Sequence, residues 1–501
     1  LNFRYTYFGL IALLKGGLVI KDENFRVEGI FLGTTFDDFT LNPQCGIMKH
    51  RGSISLRTNF SKNITLNLPV VSANMGTVTG PAMAIALAQE GGIGILPRTA
   101  SIALESDWVK KVKRAENFII EKPHTIRSYQ TLTEARELMG SHKIGTLLVL
   151  DKSGRFVGIL SAKRKMMLCG DHDGEKKVCE LMTNEEQCGY TTRKNISSAE
   201  EAAEELGLYD KEKLVWLSGE GKIRGLITTK DISNLLHHKW ANKDKKGRLV
   251  VGAAIGVTGD YIERAAELIT VGVDVIVMDT AHAHNKNVVL PAIEKFRANF
   301  NDFELVCGNI ATYEGSAFLN GLVEGIKVGI GPGAGCRTRN ETGIGVGQLD
   351  AIRSAFLAST IPLIADGGIK KTGDIAKALC MGASSVMLGE FLAGTDESPG
   401  EIINDPVRGR IKIYRGETSP QAKLYNAESS ENIKNVEGQE KQIKYLGSVK
   451  DILQKIREGL QSMVSYMEEE DLPSVRSKVN AEPWRYFRPA SPATQRESFD
   501  R

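Results

Sequence analysis

Short apolar runs alternate with amphipathic stretches in two parts of the chain, at about residues 66–114 and 248–388. Such runs are typical of buried parallel strands, and apolar residues at helical spacing between them indicate the covering helices. The eight runs are 66–73, 92–96, 249–254, 275–278, 304–307, Gly325–Val328, 361–365 and 384–388. Helices are expected at Pro81–Gln89, 260–269, 288–298, 346–357 and Thr372–Cys380. Eight strands in one alternation predict a closed TIM (β/α)₈ barrel, with a doubly wound open sheet as the alternative.

Residues 115–240 show a different pattern, and this pattern occurs twice. Each copy has a helical stretch, an apolar run, a turn and a second apolar run. The first copy comprises 128–140, 145–149, 151–154 and 156–160, and the second comprises 198–206, Lys213–Leu217, 219–221 and 223–227. Such repetition predicts a tandem module inserted in a barrel loop. A lid that binds no ligand is the simpler alternative.

These patterns divide the chain into five segments. We predict an N-terminal extension at 1–28, a first barrel part at 29–114, the inserted module at 115–240, and a second barrel part with a flap at 241–472. Residues 473–501 contain four prolines and several arginines, a composition that predicts an extended tail.

Composition narrows the class of protein. A net charge of +3 offers no overall field for binding nucleic acid or an anionic membrane. The apolar stretch at residues 8–20 is interrupted by Lys15, and it is shorter than the roughly 20 residues that cross a bilayer. Seven irregularly spaced cysteines without a CxxC pair indicate reduced thiols, and therefore a cytoplasmic protein.

Residues 327–339 follow a predicted strand and hold glycine at positions 329, 331, 333 and 335, too many for a regular helix or strand. Loops at the carboxyl ends of barrel strands commonly carry catalytic residues. Cys336 lies in this loop beside Arg337 and Arg339, whose charges would stabilise a thiolate. A lone cysteine is more often structural. In this setting, however, we predict that Cys336 is a nucleophile.

Two further strand ends suggest a phosphate ligand. Gly368 belongs to the run that follows the predicted strand 361–365, and Gly389 follows the strand 384–388. Glycines after the last two strands of a barrel commonly form a phosphate site. Asp366 could contact a sugar hydroxyl, although a helix-capping role is equally reasonable. Asp279, at another strand end, is a candidate for contact with a ribose or a nicotinamide.

Together these segments resemble the IMP dehydrogenase/GMP reductase family over about residues 30–470, and the insert resembles the tandem CBS pair of that family. The resemblance implies a purine nucleoside monophosphate substrate, NAD or NADP as cofactor, K⁺, and a homotetramer or octamer. The matching motifs begin at Gly33, Val71, Gly252, Asp279, Gly308, Lys327, Ala365, Ala393 and Tyr414.

The same resemblance implies roles for individual residues. Cys336 would attack C2 of the purine, Thr338 would assist proton transfer, and Glu437 would contact the base. Asp279 and Thr280 would face the nicotinamide. The substrate would contact Ser72, Met75, Asn309, Asp366, Gly368, Gly389, Tyr414 and Gly416. Backbone carbonyls of Gly331, Gly333 and Cys336 would hold K⁺, and Thr228 with Asp231 would bind an adenine or guanine nucleotide in the CBS pair.

The family contains two reactions. A dehydrogenase hydrolyses the cysteine-bound purine with water that a flap arginine activates, whereas a reductase expels ammonia and then adds hydride. No arginine occurs between Gly416 and Gly447, and Asn74 also resembles the reductases. The Tyr414-Arg-Gly416 motif and the CBS insert favour the dehydrogenase, for which Lys434 or Lys441 would replace the arginine. The balance favours GMP reductase, with IMP dehydrogenase as the alternative.

Two substitutions near the expected phosphate favour a hypothesis of another class. Ala334 stands where the family has a phosphate-contacting serine, and Glu390 stands where it has a small residue. A carboxylate there would repel phosphate unless Arg337 or another cation neutralises it. The chain could then be a nucleotide-sensing CBS protein with an impaired barrel, which would bind nucleotides tightly at the insert without turnover.

Overall fold

The computed structural model describes most of the chain, and the described residues form two compact units. One unit comprises the residues up to Leu87, Gly91–Glu105, and the chain from Gly252 onward. The other comprises Ala88–Glu90 and Ser106–Val251. The described residues are 29–115, 119–120, 122–142, 144–162, 173–194, 196, 199–209, 212–229, 232–233, 238–416 and 438–497.

A closed barrel of eight strands forms the core of the first unit. Around the barrel the strands are Val251–Ile255, Val275–Asp279, Leu305–Ile310, Gly325–Val328, Leu363–Asp366, Ser385–Leu388, Val70–Ser72 and Ile93–Leu96. Pairing from Val251–Ile255 through to Ile93–Leu96 is parallel throughout. The predicted TIM barrel is therefore confirmed, and the open sheet is wrong.

Burial along these strands follows from their apolar sequences. Every strand residue is buried except Asp279, Asn309 and Asp366, which are partly exposed. Asp279 and Asp366 are the last residues of their strands, and Asn309 is the last but one of its strand. The barrel therefore brings them to one edge, as expected for parallel strands.

Helices cover the barrel with one apolar face each. In Tyr261–Thr270 the buried positions include Tyr261, Ala265 and Leu268, which recur at the spacing of one helical face. The other helices that lie wholly or mostly in this unit are Pro81–Gln89, Val289–Asn299, Tyr313–Leu319, Gln348–Ala358, Thr372–Cys380, Glu390–Ala393 and Val449–Tyr466. Helix Ile102–Arg114 begins in this unit, and most of it belongs to the other one.

The first barrel strand is shorter than the predicted 66–73. Thr65–Leu66 instead pairs antiparallel with Thr58–Asn59 in a separate two-stranded sheet. Pro69 lies between this short strand and Val70–Ser72. Proline has no N–H to donate at a central strand position, so the two strands are separate.

The prediction of an extended tail at 473–501 is wrong for the residues described up to 497. Leu472–Ala481 is a helix in which Asp471 caps the N-terminus and Pro473 occupies the first turn, where proline is tolerated. Pro483–Tyr486 and Pro492–Glu497 are further short helices. Phe487–Pro489 pairs antiparallel with Phe39–Leu41, so the tail is part of the folded unit.

A three-stranded antiparallel sheet forms the flap region. Its strands are Ile403–Asp405, Gly409–Arg415 and Glu440–Lys444, in that order. Residues 417–437, between the last two strands, lie outside the described residues. Thr338–Thr342 is a short helix that directly follows Cys336 and Arg337.

The second unit contains two four-stranded sheets, one for each predicted repeat. The first sheet has the order Thr183–Asn184, Phe156–Ser161, Thr146–Leu150 and Thr125–Arg127. The second has the order Gly189–Thr191, Lys213–Leu217, Ile223–Thr228 and Ile119–Ile120. Helices Leu132–His142, Val178–Leu181 and Ala199–Tyr209 accompany them.

The first repeat's helix starts later than predicted. The backbone N–H of Thr131 donates to the Glu134 carboxylate at 2.7 Å, and the N–H of Glu134 donates back to the Thr131 hydroxyl at 3.3 Å. This reciprocal capping, with a Thr and a Glu three positions apart, begins the helix at Leu132. Among the described residues, none of the helices combines the length and apolarity required to cross a membrane.

Candidate active site

The cysteine loop leaves the barrel at the end of strand Gly325–Val328. Gly329 has a φ of +146° and Gly331 a φ of +89°, values that favour glycine. A Cβ on Gly329 would stand 2.1 Å from the carbonyl oxygen of Asp366, so the loop passes directly over the next strand end. A turn follows in which the N–H of Cys336 donates to the carbonyl of Gly333 at 3.0 Å.

The thiol of Cys336 is partly exposed at this mouth. Its Sγ donates a hydrogen bond of 3.1 Å to the hydroxyl oxygen of Thr338, the first residue of helix Thr338–Thr342. A hydroxyl both donates and accepts, so Thr338 can donate to a thiolate after the thiol loses its proton. The structure therefore places the predicted nucleophile beside the predicted proton-transfer residue.

The base of the flap contacts the cysteine loop through its backbone. Cys336 and Gly438 form an isolated antiparallel bridge. The N–H of Gln439 donates to the carbonyl of Gly335 at 3.0 Å, and its side-chain amide donates to the carbonyl of Ala334 at 2.9 Å. A Cβ on Gly416 would lie 2.6 Å from the Gly335 carbonyl oxygen, so this approach requires glycine.

The two arginines expected to stabilise a Cys336 thiolate have other partners. The guanidinium of Arg337 lies 2.7 Å from the carboxylate of Glu341, four residues along the same helix. Arg339 donates to the carbonyl of Val346. The sequence correctly places these arginines near the cysteine, but their side chains are directed into the local helix and loop.

A buried lysine connects two of the partly exposed strand residues. Nζ of Lys327 lies 2.8 Å from Asp279 Oδ1 and 2.8 Å from Asp366 Oδ2. Burial alone would raise the pKa of Asp279, but the Lys327 ammonium lowers it below its ordinary value. Burial would likewise lower the pKa of Lys327, and the carboxylates of Asp279 and Asp366 raise it well above its ordinary value. Asp279 and Lys327 are therefore both charged near neutral pH.

Asn309 extends this network on the neighbouring strand. Its side-chain amide donates to Asp366 Oδ2 at 2.9 Å and to the carbonyl of Gly329 at 2.7 Å. Its Oδ1 is buried and accepts no hydrogen bond from the described residues. The N–H of Thr280 donates to the carbonyl of Gly308 at 2.8 Å, which fixes the residue after Asp279 beside the same strand. The predicted residues Asp279, Thr280, Asn309 and Asp366 are thus brought together.

The predicted phosphate residues form a second group at the same mouth. A Cβ on Gly389 would stand 3.0 Å from the hydroxyl oxygen of Tyr414. That hydroxyl contacts Met75, with 3.6 Å between Oη and Sδ. Gly368 has a φ of +78° and packs against Pro332. Small residues at these positions leave the backbone approachable, as a phosphate site requires.

Ser72, also predicted to contact substrate, is fully buried. Its hydroxyl accepts a hydrogen bond of 2.8 Å from Thr79. Glu437 and Asp231 lie outside the described residues. Thr228 ends strand Ile223–Thr228 in the second unit.

Two features of the site were missed at the level of sequence. Lys327 was noted only as the start of the cysteine loop, although a lysine inside the apolar strand Gly325–Val328 is a signal of a buried ion pair. Lys441 was considered as a replacement for a flap arginine, but its Nζ lies 2.6 Å from the carboxylate of Glu390. Lys441 is thus the cation that neutralises Glu390.

No group of three or more His, Cys, Asp and Glu side chains that could hold a metal ion occurs in the described part of the chain. The cysteine loop offers backbone carbonyl oxygens at Gly331, Gly333 and Cys336, a donor type that suits K⁺.

Fold and site together define a TIM-barrel protein with a candidate cysteine nucleophile and a charged cluster at the carboxyl ends of its strands. Residues 33–498 match the IMP dehydrogenase / GMP reductase domain. The chain belongs to this family and is an NAD(P)-dependent oxidoreductase of purine metabolism.

The similar proteins include IMP dehydrogenases among the sequence relatives and a GMP reductase among the solved structures. An inosine-5'-monophosphate dehydrogenase of Aquifex aeolicus is 42% identical over 89% of this chain and 92% of its own length. One from Nitrosopumilus maritimus is 39% identical over 89% and 94%. A GMP reductase variant from Trypanosoma brucei in complex with guanosine 5'-monophosphate has a TM-score of 0.84 and 33% identity, covering 93% of this chain and 97% of that one.

Proposed function

We propose that the chain is a GMP reductase, which converts GMP to IMP and ammonia with NADPH as the reductant. The observation that carries the direction is the flap sequence, where no arginine occurs between Gly416 and Gly447. Lys441, which could have replaced that arginine, is paired with Glu390. A lysine is also a poor substitute for the planar donor array of an arginine. The flap sequence therefore lacks the arginine that the family resemblance assigns to water activation in a dehydrogenase.

The reaction assigns a role to each cluster. The Cys336 thiolate adds to C2 of GMP, the C2–N bond breaks, and the amino group leaves as ammonia after taking up a proton. Thr338, 3.1 Å from Cys336 Sγ, is placed to move that proton. C2 would then accept a hydride, the chemistry that a bound nicotinamide would supply, and breakage of the C–S bond would release IMP and the thiolate. One GMP, one NADPH and two protons thus give IMP, NADP⁺ and ammonium.

The remaining residues bind and orient the substrate and the nicotinamide. Asp366 and Asn309 would contact the ribose and the purine, while Gly368 and Gly389 with the Tyr414 hydroxyl would hold the phosphate. Asp279 and Thr280 would face the nicotinamide. Lys327 contacts the carboxylates of Asp279 and Asp366 and lowers the pKa of Asp279.

Two assays of the full chain test the direction. With GMP and NADPH, the proposal predicts oxidation of NADPH and release of one ammonia for each NADPH consumed. With IMP and NAD, it predicts no NADH above the background of a Cys336→Ala control. Formation of NADH from IMP without oxidation of NADPH by GMP would establish the dehydrogenase instead.

IMP dehydrogenase is the second candidate, favoured by the names of relatives that are 39% and 42% identical. The Tyr414-Arg-Gly416 motif supports the same reading. In that reaction water attacks the cysteine-bound purine at C2, with NAD as the oxidant. Absence of reaction in both assays would contradict both candidates.

We also propose that K⁺ binds the cysteine loop through the carbonyls of Gly331, Gly333 and Cys336. The Gly333 carbonyl accepts one hydrogen bond, from the N–H of Cys336, and its second lone pair is available to a cation. Replacing K⁺ with a bulky organic cation at equal ionic strength should lower kcat. Equal rates in both salts would contradict this part of the proposal.

The second unit is proposed to be a tandem CBS module that binds an adenine or guanine nucleotide at Thr228 and Asp231. Binding at about a hundredfold excess over Kd would stabilise the folded state by about 2.7 kcal/mol. Thermal unfolding with ATP or GTP, compared between the full chain and its Asp231→Ala variant, tests this site. The resemblance also supports a homotetramer or octamer, which sedimentation would reveal.

A further inference from the structure

An ion pair connects the flap to the loop that holds the proposed phosphate site. Nζ of Lys441 lies 2.6 Å from Oε2 of Glu390, with 34% and 37% of the two side chains exposed. Lys441 belongs to the flap strand Glu440–Lys444. Glu390 directly follows Gly389, the expected phosphate glycine, at the end of a barrel strand.

Tyr414 links this ion pair to the same glycine. Tyr414 is the register partner of Lys441 in the antiparallel flap sheet. Nζ of Lys441 lies 5.9 Å from the centre of the Tyr414 ring, and the Tyr414 hydroxyl would stand 3.0 Å from a Cβ on Gly389. Lys441, Glu390, Tyr414 and Gly389 therefore form one cluster, the phosphate-end cluster.

Charge determines what this cluster can bind. A phosphate monoester is largely dianionic near neutral pH, and a bare carboxylate at Glu390 would repel it. Arg337, the cation suggested by the sequence as a partner of Glu390, is instead paired with Glu341. The cation placed to cancel the Glu390 charge is Lys441, whose partial exposure leaves further N–H donors for a phosphate oxygen.

We propose that the Lys441–Glu390 pair sets the specificity of the site for a nucleoside monophosphate over the nucleoside without phosphate. Lys441 neutralises Glu390, so that the carboxylate beside Gly389 does not repel the phosphate. This inference rests on the proposed function for the identity of the substrate, but not for the direction of the reaction.

Binding measurements on the full chain test the pair separately from catalysis. All variants carry Cys336→Ala, so that no covalent bond forms, and GMP and guanosine are titrated by calorimetry. Lys441→Met should weaken GMP binding about tenfold or more. Guanosine binding should change by less than about twofold, since it has no phosphate. Circular dichroism checks the fold, and Lys441→Gln replaces Lys441→Met if that variant does not fold.

Variants of Glu390 distinguish neutralisation of its charge by Lys441 from a direct contact between Lys441 and the phosphate. Glu390→Gln should bind GMP at least as tightly as the parent. The double variant Lys441→Met with Glu390→Gln should recover to within about threefold of the parent. Lys444→Met, which removes an exposed lysine from the same strand, serves as the matched control and should match the parent.

Three results would overturn the proposal. The double variant could be as weak as Lys441→Met alone, guanosine could weaken as much as GMP, or Glu390→Gln could weaken GMP binding as Lys441→Met does. Failure of the proposed reductase reaction is distinguishable, because it appears as a parent enzyme that does not oxidise NADPH with GMP. If the parent enzyme turns over but the double variant does not recover GMP binding, only the role of the Lys441–Glu390 pair is refuted.

Discussion

Nζ of Lys327 lies 2.8 Å from Oδ1 of Asp279, inside the mouth of the barrel. The lysine side chain is only 4% exposed and the aspartate side chain 23% exposed. A buried charge is tolerated only when it is paired, so this contact holds Asp279 ionised and fixed in direction. The proposed nicotinamide contact therefore depends on a lysine on another strand.

Replacing Lys327 with Met should destabilise the protein strongly at neutral pH, because two carboxylates would remain without their cation. Breaking a buried ion pair by removing one partner costs about 3–5 kcal/mol. Urea unfolding of the variant and of wild type, followed by circular dichroism, measures this loss. Lys286→Met, which removes an exposed lysine of the same barrel, is the matched control.

The same variant makes a prediction about pH. Lys327 lowers the pKa of Asp279, so its contribution to stability is present above the ordinary pKa of an aspartate and is lost as the pH falls through the lowered value. The variant lacks this contribution, and burial now raises the pKa of Asp279. The difference in stability should therefore shrink as the pH falls towards the ordinary aspartate pKa of about 4, and it should continue to shrink below it. A difference that stays constant or grows in acid would contradict the ion-pair account.

Thr338 should affect the chemical step more than substrate binding. Its hydroxyl lies 3.1 Å from Cys336 Sγ and is placed to donate to the thiolate or move a proton. Thr338→Val should lower kcat about a hundredfold, the usual scale for losing a proton-transfer group, with a small change in KM. Thr338→Ser keeps the hydroxyl and should recover most of the rate. Equal loss in both variants would mean that the hydroxyl alone does not account for the effect of Thr338.

Gly389→Ala should weaken nucleotide binding by filling the proposed phosphate site. The new Cβ would stand 3.0 Å from the Tyr414 hydroxyl and would occupy the approach to the backbone. We expect KM for the nucleotide to rise about tenfold with little change in the unfolding midpoint. Gly373→Ala, where nothing lies within 4 Å of the new Cβ, is the control and should behave as wild type. An unchanged KM in Gly389→Ala would mean that the phosphate does not bind at Gly389.

The barrel could be predicted from sequence because each strand is a short apolar run that is buried on both sides. The prediction for the C-terminal tail was wrong because proline is common both in extended segments and in the first turn of helices. Pro473 and Pro483 suggest an extended tail in the sequence, but both occupy the first turn of a helix, where proline fits. Leu472, Val475 and Val479 are buried at helical spacing, a weaker signal than the prolines.

The sequence was sufficient to predict which strand-end residues form the candidate site, because these residues follow the predicted strands and parallel strands end at one carboxyl edge. Side-chain pairing across the barrel could not be predicted. Lys327 contacts Asp279 and Asp366, which are 48 and 39 positions away in sequence. Likewise, Arg337 could pair either with Glu341 in its own helix or with Glu390, and only the folded geometry selects Glu341.

Covalent attachment of the purine to Cys336 is measured most directly by mass spectrometry of protein quenched during turnover of GMP. The account predicts the added mass of the purine nucleotide, less its amino group, on the peptide that contains Cys336. Cys336→Ala should lose both the adduct and turnover. The exposed Cys45→Ala should keep both, as should Cys307→Ala, because burial raises the pKa of the Cys307 thiol to about 12. Turnover by the Cys336→Ala variant, or an adduct on any other cysteine, would contradict it.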